Sequence, residues 1–572
     1  MPSRVFWLAA SLTVVSPSAA QRPPLSITRP GNDIVLSWPA SATGWVLQST
    51  DQLSAAGSWA NVPGSPALQG AQLAWTNTFP GGIRFFRLAQ FQTGPLPVPT
   101  NALTGTLASM GTPWAVTTDA NTPNNPAIPG TAVGTVPKIV SFANYDGSID
   151  AAWISSSTPP RIVITHIVPD AATYKAAWHL KPHTLAYLGG FARDGAGAMY
   201  YLTTVAEDLT TQTQPSGVHR PNIANLVKLS ALGAEVFRRD LRTDIEWDMA
   251  EPLYSPMTWG TSQLAVGDGR VIVTMSCNTE FDPGVNSRHQ WHISIGADAA
   301  TGTLNLYRGA FGHCWDHRLI FHGGKFINTS LGDAGLRGIG VADVVNGWHK
   351  VAFAIKGGDL TTVPFYQNVF TRLGDLAPGN AGYGLLFSTE KSTTYTGGTS
   401  PVISARNVAF AHVHSDFADV QTNPDNQYDV AIVDTNTGNA AAQTFDVPIK
   451  DYYGATYAGK NKGLVWLTNY TNRTTENAER PHLVSLGDGR FIALWEKWSL
   501  TAYAGTWSAV IDEYGNVLRA PAQISTTARL HRQDSPFRFG TKAAWIIGET
   551  AVAKLVLYTL DANLILVRHE IR

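Results

Sequence analysis

The chain has 572 residues, 15% of them charged, and its 41 Lys and Arg nearly balance its 42 Asp and Glu. A formal charge of −1 excludes a chain-wide attraction to nucleic acid or to an anionic membrane surface. The 18 Trp, 22 Phe and 18 Tyr exclude a disordered chain, and the 2 Cys exclude a disulfide scaffold. Low charge with 52 Gly is typical of an all-β extracellular protein.

Residues 1–20 have the pattern of a secretory signal peptide. Arg4 precedes an apolar run over 5–15, and small residues up to Ala20 come before Gln21. The run is too short to cross a bilayer of about 30 Å as a helix. We therefore expect cleavage near Ala20, a secreted or periplasmic protein, and no membrane insertion.

Residues 21–91 alternate short strands with turns. The sequence reads Leu-Ser-Trp at 36–38, Val-Leu-Gln-Ser-Thr at 46–50 and Phe-Phe-Arg-Leu at 85–88. This pattern resembles the fibronectin-III/Ig-like modules of secreted bacterial multidomain proteins. The resemblance implies a small β-sandwich over 21–91 and carries no site residues.

Residues 92–137 are rich in Pro, Thr, Gly and Asn, a composition that predicts a linker. Residues 138–572 repeat with a period of about 62 residues. Each repeat begins with a hairpin, most plainly at 264–275, 319–330 and 483–495, where Asp-Gly and Gly-Gly pairs favour tight turns. Weaker versions lie at 138–154, 184–204, 367–390 and 534–548.

A second hairpin follows each first one. The seven second hairpins are predicted at 161–178, 226–239, 289–307, 337–355, 428–446, 507–522 and 555–570. Two hairpins in each repeat form a four-stranded sheet, so the chain is predicted to be all-β, with a seven-bladed β-propeller over 138–572. Because the fifth repeat is long, six or eight blades are alternatives.

The connections of a propeller divide between its two faces. The turns within hairpins are short and rich in Gly and Asp, whereas the other connections are long and rich in His, Arg and aromatic residues. Since binding residues concentrate on loops held by a rigid scaffold, we expect the second face to bind ligand.

The densest polar cluster runs from His313 to Arg318 at the start of the fourth blade, close to the predicted axis. His313 and His317 are candidate bases, and Arg318 and Arg337 are candidates to neutralise a carboxylate. Structural hydrogen bonding of these side chains is the competing interpretation. The predicted ligand-binding residues are Arg288, His289, Trp315, Asp316, Asp333, Arg480, His482, His531 and Arg532.

No cofactor is expected, with zinc as the alternative. His289, His292, His313 and His317 fall in adjoining repeats, and imidazole suits zinc, but no paired metal-binding motif is present. Cys277 and Cys314 also lie in neighbouring repeats. An exported protein with two Cys most simply forms one disulfide, while free thiols or a metal site are the alternatives.

Three functions compete. The first is binding of an extracellular ligand, a saccharide or polymer, through the long-loop face. The second is a carbohydrate-active enzyme such as a polysaccharide lyase that uses His and Arg on that face, although fold alone does not imply function. The third is a scaffold that docks a protein partner. Convergence of the polar residues on one pocket favours the first two, and burial in salt links favours the third. The sequence leaves the oligomeric state open.

Overall fold

The computed structural model describes antiparallel β-sheets in two units of the chain, Met1–Thr93 and Gly94–Arg572. The described residues are 24–31, 33–39, 45–50, 60–62, 66–69, 72–78, 85–90, 96–113, 139–155, 161–171, 173–183, 188–205, 223–241, 262–279, 289–308, 314–332, 338–346, 348–354, 371–391, 405–414, 439–441, 443–450, 456–499, 501–549 and 554–572. Within these ranges no helix has the length and apolar character needed to cross a membrane. The predicted signal peptide lies outside them.

The first unit contains two sheets around one apolar cluster. Its strands are β1 (Ser26–Thr28), β2 (Asp33–Pro39), β3 (Trp45–Thr50), β4 (Ala60–Asn61), β5 (Ala67–Gln69), β6 (Gln72–Thr78) and β7 (Phe85–Gln90). One sheet has the order β1-β2-β6-β5 and the other β4-β3-β7. Leu36, Trp38 and Trp75 from the first sheet pack with Leu47 and Leu88 from the second.

The second unit starts with a short helix, α1 (Leu107–Met110), followed by seven sheets among the described residues. The strands of sheets 1 to 3 are β8 (Ile139–Ala143), β9 (Ile149–Ser155), β10 (Arg161–Asp170), β11 (Thr173–His183); β12 (Leu188–Arg193), β13 (Met199–Val205), β14 (Ile223–Leu229), β15 (Glu235–Asp240); and β16 (Ser262–Gly267), β17 (Arg270–Thr279), β18 (His289–Asp298), β19 (Leu304–Arg308). Each of these sheets has four antiparallel strands in sequence order.

Sheets 4 to 7 follow the same plan, except that sheet 5 has five strands. Their strands are β20 (Cys314–His322), β21 (Lys325–Gly332), β22 (Gly338–Asp343), β23 (Trp348–Ala354); β24 (Arg372–Pro378), β25 (Gly382–Glu390), β26 (Arg406–His414), β27 (Gln443–Lys450), β28 (Thr456–Trp466); β29 (Asn477–Ser485), β30 (Arg490–Trp498), β31 (Tyr503–Asp512), β32 (Val517–Ser525); and β33 (Phe537–Phe539), β34 (Lys542–Glu549), β35 (Lys554–Leu560), β36 (Leu566–Glu570).

The sheets of this unit form a closed ring, so the architecture is all-β and propeller-like. The first strand of every sheet contacts the first strand of the next, and β33 of sheet 7 contacts β8 of sheet 1. Apolar clusters fill the space between neighbouring sheets, including sheets 7 and 1, where Trp153 and Ile546 belong to one cluster. Burial on both faces explains why second strands such as β9 carry no exposed residue.

Tight turns confirm the hairpin signals in the sequence. Asp268 and Gly269 join β16 to β17 with φ values of 47° and 69°, and Gly323 and Gly324 join β20 to β21 with 58° and 78°. Positive φ at both central residues is the geometry that favours Asp-Gly and Gly-Gly in two-residue hairpins.

Sheet 5 differs from the predicted arrangement. A hairpin was expected at 428–446, but the third strand of the sheet is β26, and it pairs with β28 rather than with β27. The residues 415–438 lie outside the described ranges. Because 428–438 are among those residues, the predicted hairpin stays a prediction; among the described residues, the fifth repeat contributes a fifth strand to its sheet, with β27 at the edge.

Part of the predicted linker packs on the ring. Leu96, Leu107 and Met110 are buried, and Leu103 exchanges backbone hydrogen bonds with His179 of β11 at 2.8 and 3.0 Å. Leu107 and Met110 join the apolar cluster between sheets 7 and 1. Residues 96–113 therefore pack against the ring near the contact between sheets 7 and 1.

Candidate functional site

Most of the long intervals between described strands join strand ends on one face of the ring, whereas the interval 415–442 follows a third strand, β26, whose end lies on the opposite face. Those on the first face join second to third strands, or fourth strands to the next sheet, and include 206–222, 241–261, 280–288, 355–371 and 391–405. The turns within hairpins, such as 268–269 and 323–324, lie on the opposite face. The long connections belong to sheets 2 to 5, whereas sheets 1, 6 and 7 have shorter ones.

A polar segment of the chain, 529–535, crosses the centre of the ring between β32 and β33. We call it the axial segment. Four consecutive backbone carbonyls of this segment are hydrogen-bonded to side chains on the first strands of sheets 3, 4 and 6. Leu530 accepts from Arg480, His531 from His482, Arg532 from Arg318, and Gln533 from Gln263. Because this connection joins a fourth strand to the next sheet, the axial segment lies toward the face of the long connections.

Side chains of the axial segment also form hydrogen bonds with the sheets. The carboxylate of Asp534 lies 2.9 Å from the hydroxyl of Ser141 on β8, and the Ser535 hydroxyl donates to Oδ1 of Asp375 on β24 at 2.5 Å. The segment is thereby hydrogen-bonded to sheets 1, 3, 4, 5 and 6, while Leu530 packs in the apolar cluster between sheets 6 and 7.

Asp375 is the centre of the densest polar network. Arg318 Nε donates to its Oδ1 at 3.0 Å, and His482 Nδ1 donates to its Oδ2 at 2.8 Å. His482 Nε2 lies 2.5 Å from the carbonyl oxygen of His531. Both ring nitrogens of His482 are therefore engaged by oxygen atoms within the protein. Arg318 also donates to Asp316 at 2.6 Å.

Two further carboxylates hold arginines nearby. Glu479 accepts from Arg372 at 2.9 Å and pairs with Arg406 at 2.5 Å. The second, Glu496, accepts from Arg529 Nε at 3.0 Å and from the Leu530 backbone at 2.8 Å, and lies 3.4 Å from Arg480. Each carboxylate therefore faces more than one donor.

Register shifts in the first strands of three sheets explain how residues close together in sequence can all contribute side chains to the network. Register shifts occur between Cys314 and Asp316 in β20, in β24 between Leu373 and Leu376, and between Glu479 and His482 in β29. Bulges of this kind break the alternation of side chains and re-aim them. Arg480, inside the third shift, has a φ of 51°, which is uncommon for a residue other than Gly.

The buried environment shifts several pKa values. Burial alone would raise the pKa of Asp375, but His482, Arg318 and Ser535 outweigh it and lower the pKa to about 2. Burial raises the pKa of Asp534 well above its ordinary value, although Ser141 opposes the shift. Burial, with the charge of Arg318, lowers the pKa of His317 to about 3, so this imidazole is neutral at pH 7. Burial also lowers the pKa of Arg532, to about 10.

The structure brings together part of the predicted site. Seven of its residues are described with their side chains, and each is at most 5% exposed: Asp316, His317, Arg318, Arg480, His482, His531 and Arg532. Hydrogen bonds link Arg318, His482, His531 and Arg532 through the axial segment and Asp375, while Arg480 binds the segment at Leu530.

The remaining predicted residues are not described in full. Arg288, His313, Asp333 and Arg337 lie outside the described residues. The backbones of His289, His292, Trp315, Cys277 and Cys314 lie on β18, β20 or β17, but their side chains are outside the description. The strands of the two cysteines, β17 and β20, contact each other. Among the side chains that are described, no three His, Cys, Asp or Glu residues cluster closely enough to hold a metal ion.

Sequence reasoning missed Asp375, Glu479, Arg372, Arg406 and Glu496. All five are at most 5% exposed and lie on strands. The sequence did contain one signal for these residues, namely a charged residue inside an apolar strand segment. Such a residue is expected to be buried, and a buried charge requires a partner. Such residues stand out in a chain with only 15% charged residues.

Comparison with known proteins identifies no family for this chain. No protein-family model matches it. No curated protein matches it either. Among solved structures, it is similar to a protein of unknown function from Dyadobacter fermentans, at 9% identity and a TM-score of 0.34, over 66% of this chain and 94% of that one.

Two enzymes are also similar in structure. A prolyl endopeptidase matches at 8% identity and a TM-score of 0.31, covering 94% of this chain, which spans 55% of that enzyme. A GH43 endo-arabinanase from Bacillus licheniformis matches at 12% identity and a TM-score of 0.23, over 57% of this chain and 95% of that enzyme. Because these identities and scores are low, we infer function from the chain's own residues.

Proposed function

We propose that the chain is a secreted or periplasmic protein that binds an extracellular ligand, a saccharide or another polymer, on the long-connection face of a seven-bladed β-propeller. The observation that carries this proposal is the uneven length of the connections. Segments such as 206–222 and 241–261 join strand ends on one face, while most strand ends on the opposite face are joined by turns as short as 268–269. Long connections on a rigid ring are where binding residues concentrate.

The proposed fold has two parts, a seven-bladed propeller and a small N-terminal sandwich. Seven sheets whose first strands contact one another in a closed cycle support seven blades. For the first unit, the sheets β1-β2-β6-β5 and β4-β3-β7, with a shared core, support a fibronectin-III/Ig-like sandwich. We infer that this module is a spacer or adaptor, preceded by the signal peptide and without affinity for nucleic acid.

The ligand contacts are proposed on sheets 2 to 5, where the connections are longest. Arg288 lies in the connection 280–288, and Asp333 and Arg337 lie in 333–337. Trp315, at the start of β20, adds an aromatic ring suited to stacking on a sugar. These residues offer guanidinium, carboxylate and indole groups, the chemistry that saccharide recognition uses.

The geometry favours binding over the lyase alternative. Both ring nitrogens of His482 are occupied by hydrogen bonds within the protein, to Asp375 and to the His531 carbonyl, so neither is available to a substrate. Arg318 donates to two carboxylates and to the Arg532 carbonyl. Burial and Arg318 lower the pKa of His317 to about 3, far from the value that suits a general base at neutral pH. His313 and Arg337 keep the lyase alternative open.

A protein-docking scaffold is the second candidate. The observation that favours it is the burial of Arg318, His482 and Asp375 in salt links at the axis. Those side chains then stabilise the ring, and the partner contacts lie elsewhere on the surface.

One panel experiment separates the three functions. The purified mature protein is incubated with uronate-containing and neutral polysaccharides, and both binding and the absorbance of unsaturated products are followed. Binding without product supports the proposal, unsaturated product supports the lyase, and no binding in the whole panel supports the scaffold.

Variants locate the binding face. We expect Arg288→Ala or Trp315→Ala to weaken saccharide binding by roughly 10-fold, since hydrogen-bonded charges and stacked rings each contribute about 1–3 kcal/mol. Arg490→Ala is the matched control, because Arg490 lies at the short-turn face and pairs with Asp488. A loss of affinity in the control equal to that in Arg288→Ala would contradict the assignment. His317→Ala tests the catalytic candidate: unchanged behaviour in every assay removes it.

A further inference from the structure

A group of polar and aromatic side chains lies on the long-connection face between sheets 5 and 6, away from the axis. The ammonium of Lys497, near the end of β30, lies 5.0 Å from the ring centroid of Tyr470 and 5.6 Å from that of Trp507. The same ammonium donates to Oε1 of Glu476 at 2.8 Å. Tyr470 and Glu476 belong to the connection 467–476, and Trp507 lies near the start of β31. We call these four residues the sheet 6 cluster.

The sheet 6 cluster reaches the surface. The side chain of Lys497 is 22% exposed and that of Glu476 is 30% exposed, while Tyr470 and Trp507 are partly buried. Among the described residues, Glu476 is the only hydrogen-bond acceptor of Lys497 Nζ, and Oε2 of Glu476 has no donor. Since an ammonium carries three N–H groups and a carboxylate two oxygens, the pair has hydrogen-bonding capacity beyond its own contact.

Buried hydrogen bonds hold the connection 467–476 in place. Asn407 of β26 is 1% exposed, and its Oδ1 accepts from the Tyr470 backbone at 2.6 Å and from the Thr468 hydroxyl at 2.9 Å. Its Nδ2 donates to the Tyr470 carbonyl at 3.0 Å. The Tyr470 hydroxyl accepts from Nε1 of Trp495 at 3.2 Å, which orients the Tyr470 ring. A site whose side chains are already positioned loses less conformational entropy when a ligand binds.

The chemistry of the sheet 6 cluster matches that of a sugar residue. Aromatic rings pack against the C–H groups of a sugar, and sugar hydroxyls both donate and accept hydrogen bonds. Lys497 and Glu476 have opposite charges at 2.8 Å, so the cluster offers a donor and an acceptor side by side without net charge. This combination suits two neighbouring hydroxyl groups better than a carboxylate, which only accepts.

We propose that the sheet 6 cluster is a subsite for a neutral sugar residue. Lys497 donates to one sugar hydroxyl, Glu476 accepts from the neighbouring hydroxyl, and the rings of Tyr470 and Trp507 contact the C–H groups. The subsite rests on the function proposed above, because its ligand is a saccharide. It extends the ligand contacts from sheets 2 to 5 onto sheet 6, and it requires that the saccharide contain neutral residues.

The test measures the affinity of the purified protein for cellohexaose, xylohexaose and mannohexaose by isothermal titration calorimetry. We expect at least one probe to bind, and Lys497→Met to weaken that binding by about 10-fold, because a hydrogen bond from a charged group is lost. Trp507→Ala should weaken it by a similar factor. Lys175→Met is the matched control and should bind as the wild type does, because Lys175 pairs with Asp170 at the short-turn face.

Thermal unfolding separates a ligand contact from a purely structural role, since a cation over aromatic rings also stabilises a fold. We expect Lys497→Met without ligand to unfold within about 4 °C of the wild type, because a surface pair contributes little. A saturating probe should raise the midpoint of the wild type more than that of Lys497→Met. If Trp507→Ala does not fold, Trp507→Phe keeps a ring and should weaken binding less than Lys497→Met does. A folded Lys497→Met protein that binds every probe as tightly as the wild type would overturn the subsite.

The outcomes distinguish failure of the subsite from failure of the proposed function. Saccharide binding that is weakened by Arg288→Ala but not by Lys497→Met supports the function and overturns the subsite. Binding weakened by Lys497→Met but not by Arg288→Ala supports the subsite and contradicts the contacts on sheets 2 to 5. A loss in Lys497→Met that is confined to uronate-containing ligands overturns the assignment to neutral sugars. Absence of binding to neutral and uronate-containing saccharides alike overturns both proposals.

Discussion

Nδ1 of His482 lies 2.8 Å from Oδ2 of Asp375, and this contact joins sheets 6 and 5 at the centre of the ring. The same carboxylate accepts from Arg318 of sheet 4 and from Ser535 of the axial segment. One side chain thus links three sheets and the segment that crosses them. The stability lost on substitution of Asp375 should therefore depend on pH. The stability lost on substitution of its partners should depend on pH as well.

Removal of His482 should destabilise the ring strongly. His482→Ala removes one of the buried partners of Asp375 and the side-chain partner of the His531 carbonyl, and loss of one partner of a buried pair costs about 3–5 kcal/mol. Chemical denaturation followed by circular dichroism measures this loss. The control is Lys554→Ala, which breaks an exposed pair with Glu570 and should cost at most about 1 kcal/mol. Equal losses in the two variants would show that the central pair contributes no more than a surface pair.

Acid should selectively remove the contribution of Asp375. Because its pKa is about 2 in the folded protein and about 4 in unfolded chains, its stabilisation is present above pH 4 and is lost as pH falls toward 2. Asp375→Asn should therefore be less stable than the wild type at pH 5, and the difference should shrink by roughly 2 kcal/mol by pH 2. Denaturant titrations across this range measure it; a constant difference would contradict the pKa.

Asp534 should show the opposite pH dependence. Its raised pKa means that, above about pH 4, the folded state keeps a proton that the unfolded state has released. Its contribution to stability therefore falls as pH rises, by at most about 1.4 kcal/mol per pH unit, until the folded pKa is reached. Asp534→Asn mimics the neutral acid, so its stability relative to the wild type should rise as pH increases above about 4.

Asp534→Ala separates charge from hydrogen bonding at this position. It removes both, including the contacts with Ser141, so it should be less stable than Asp534→Asn at every pH. Parallel pH curves for the wild type and Asp534→Asn would show that the carboxyl group is not held neutral.

Trp38→Ala should destabilise the first unit. Trp38 is 2% exposed and packs with Leu36, Leu47, Trp75 and Leu88 of the same unit, and truncation of such a residue costs about 3–5 kcal/mol. Limited proteolysis with mass analysis should show faster cleavage within residues 24–90 than in the wild type. Ile27→Ala, at a position 39% exposed, is the control and should leave that rate nearly unchanged.

Local sequence signals predicted most of the sheets. Asp268-Gly269 and Gly323-Gly324 marked turns whose geometry the structure confirms, because positive φ is a local requirement. The five-stranded arrangement of sheet 5 was not predictable in this way, since β26 pairs with β28, which follows it in the chain only after β27. Pairing across a long insertion depends on tertiary contacts rather than on the turn residues.

The candidate site was predicted in part. His482, His531 and Arg532 were selected from their polar loops, whereas Asp375 was missed inside an apolar strand. Which carboxylate faces which arginine depends on bulges in β20, β24 and β29, and no residue pattern specifies those shifts. The axial segment could be recognised as a polar connection, but its course through the ring is set by contacts with distant strands.

The position of the axial segment in the sequence has a consequence for biosynthesis. Ser141 and Asp534 are separated by 393 positions, so the first sheet emerges long before the segment that binds it. Until then, Arg318, Asp375 and His482 lack several of their final partners, and closure of so large a loop carries a high entropic cost. A nascent or truncated chain that ends before residue 529 lacks the backbone carbonyls to which Arg318, Arg480 and His482 are hydrogen-bonded. Assembly of the ring therefore finishes only when these C-terminal residues are in place.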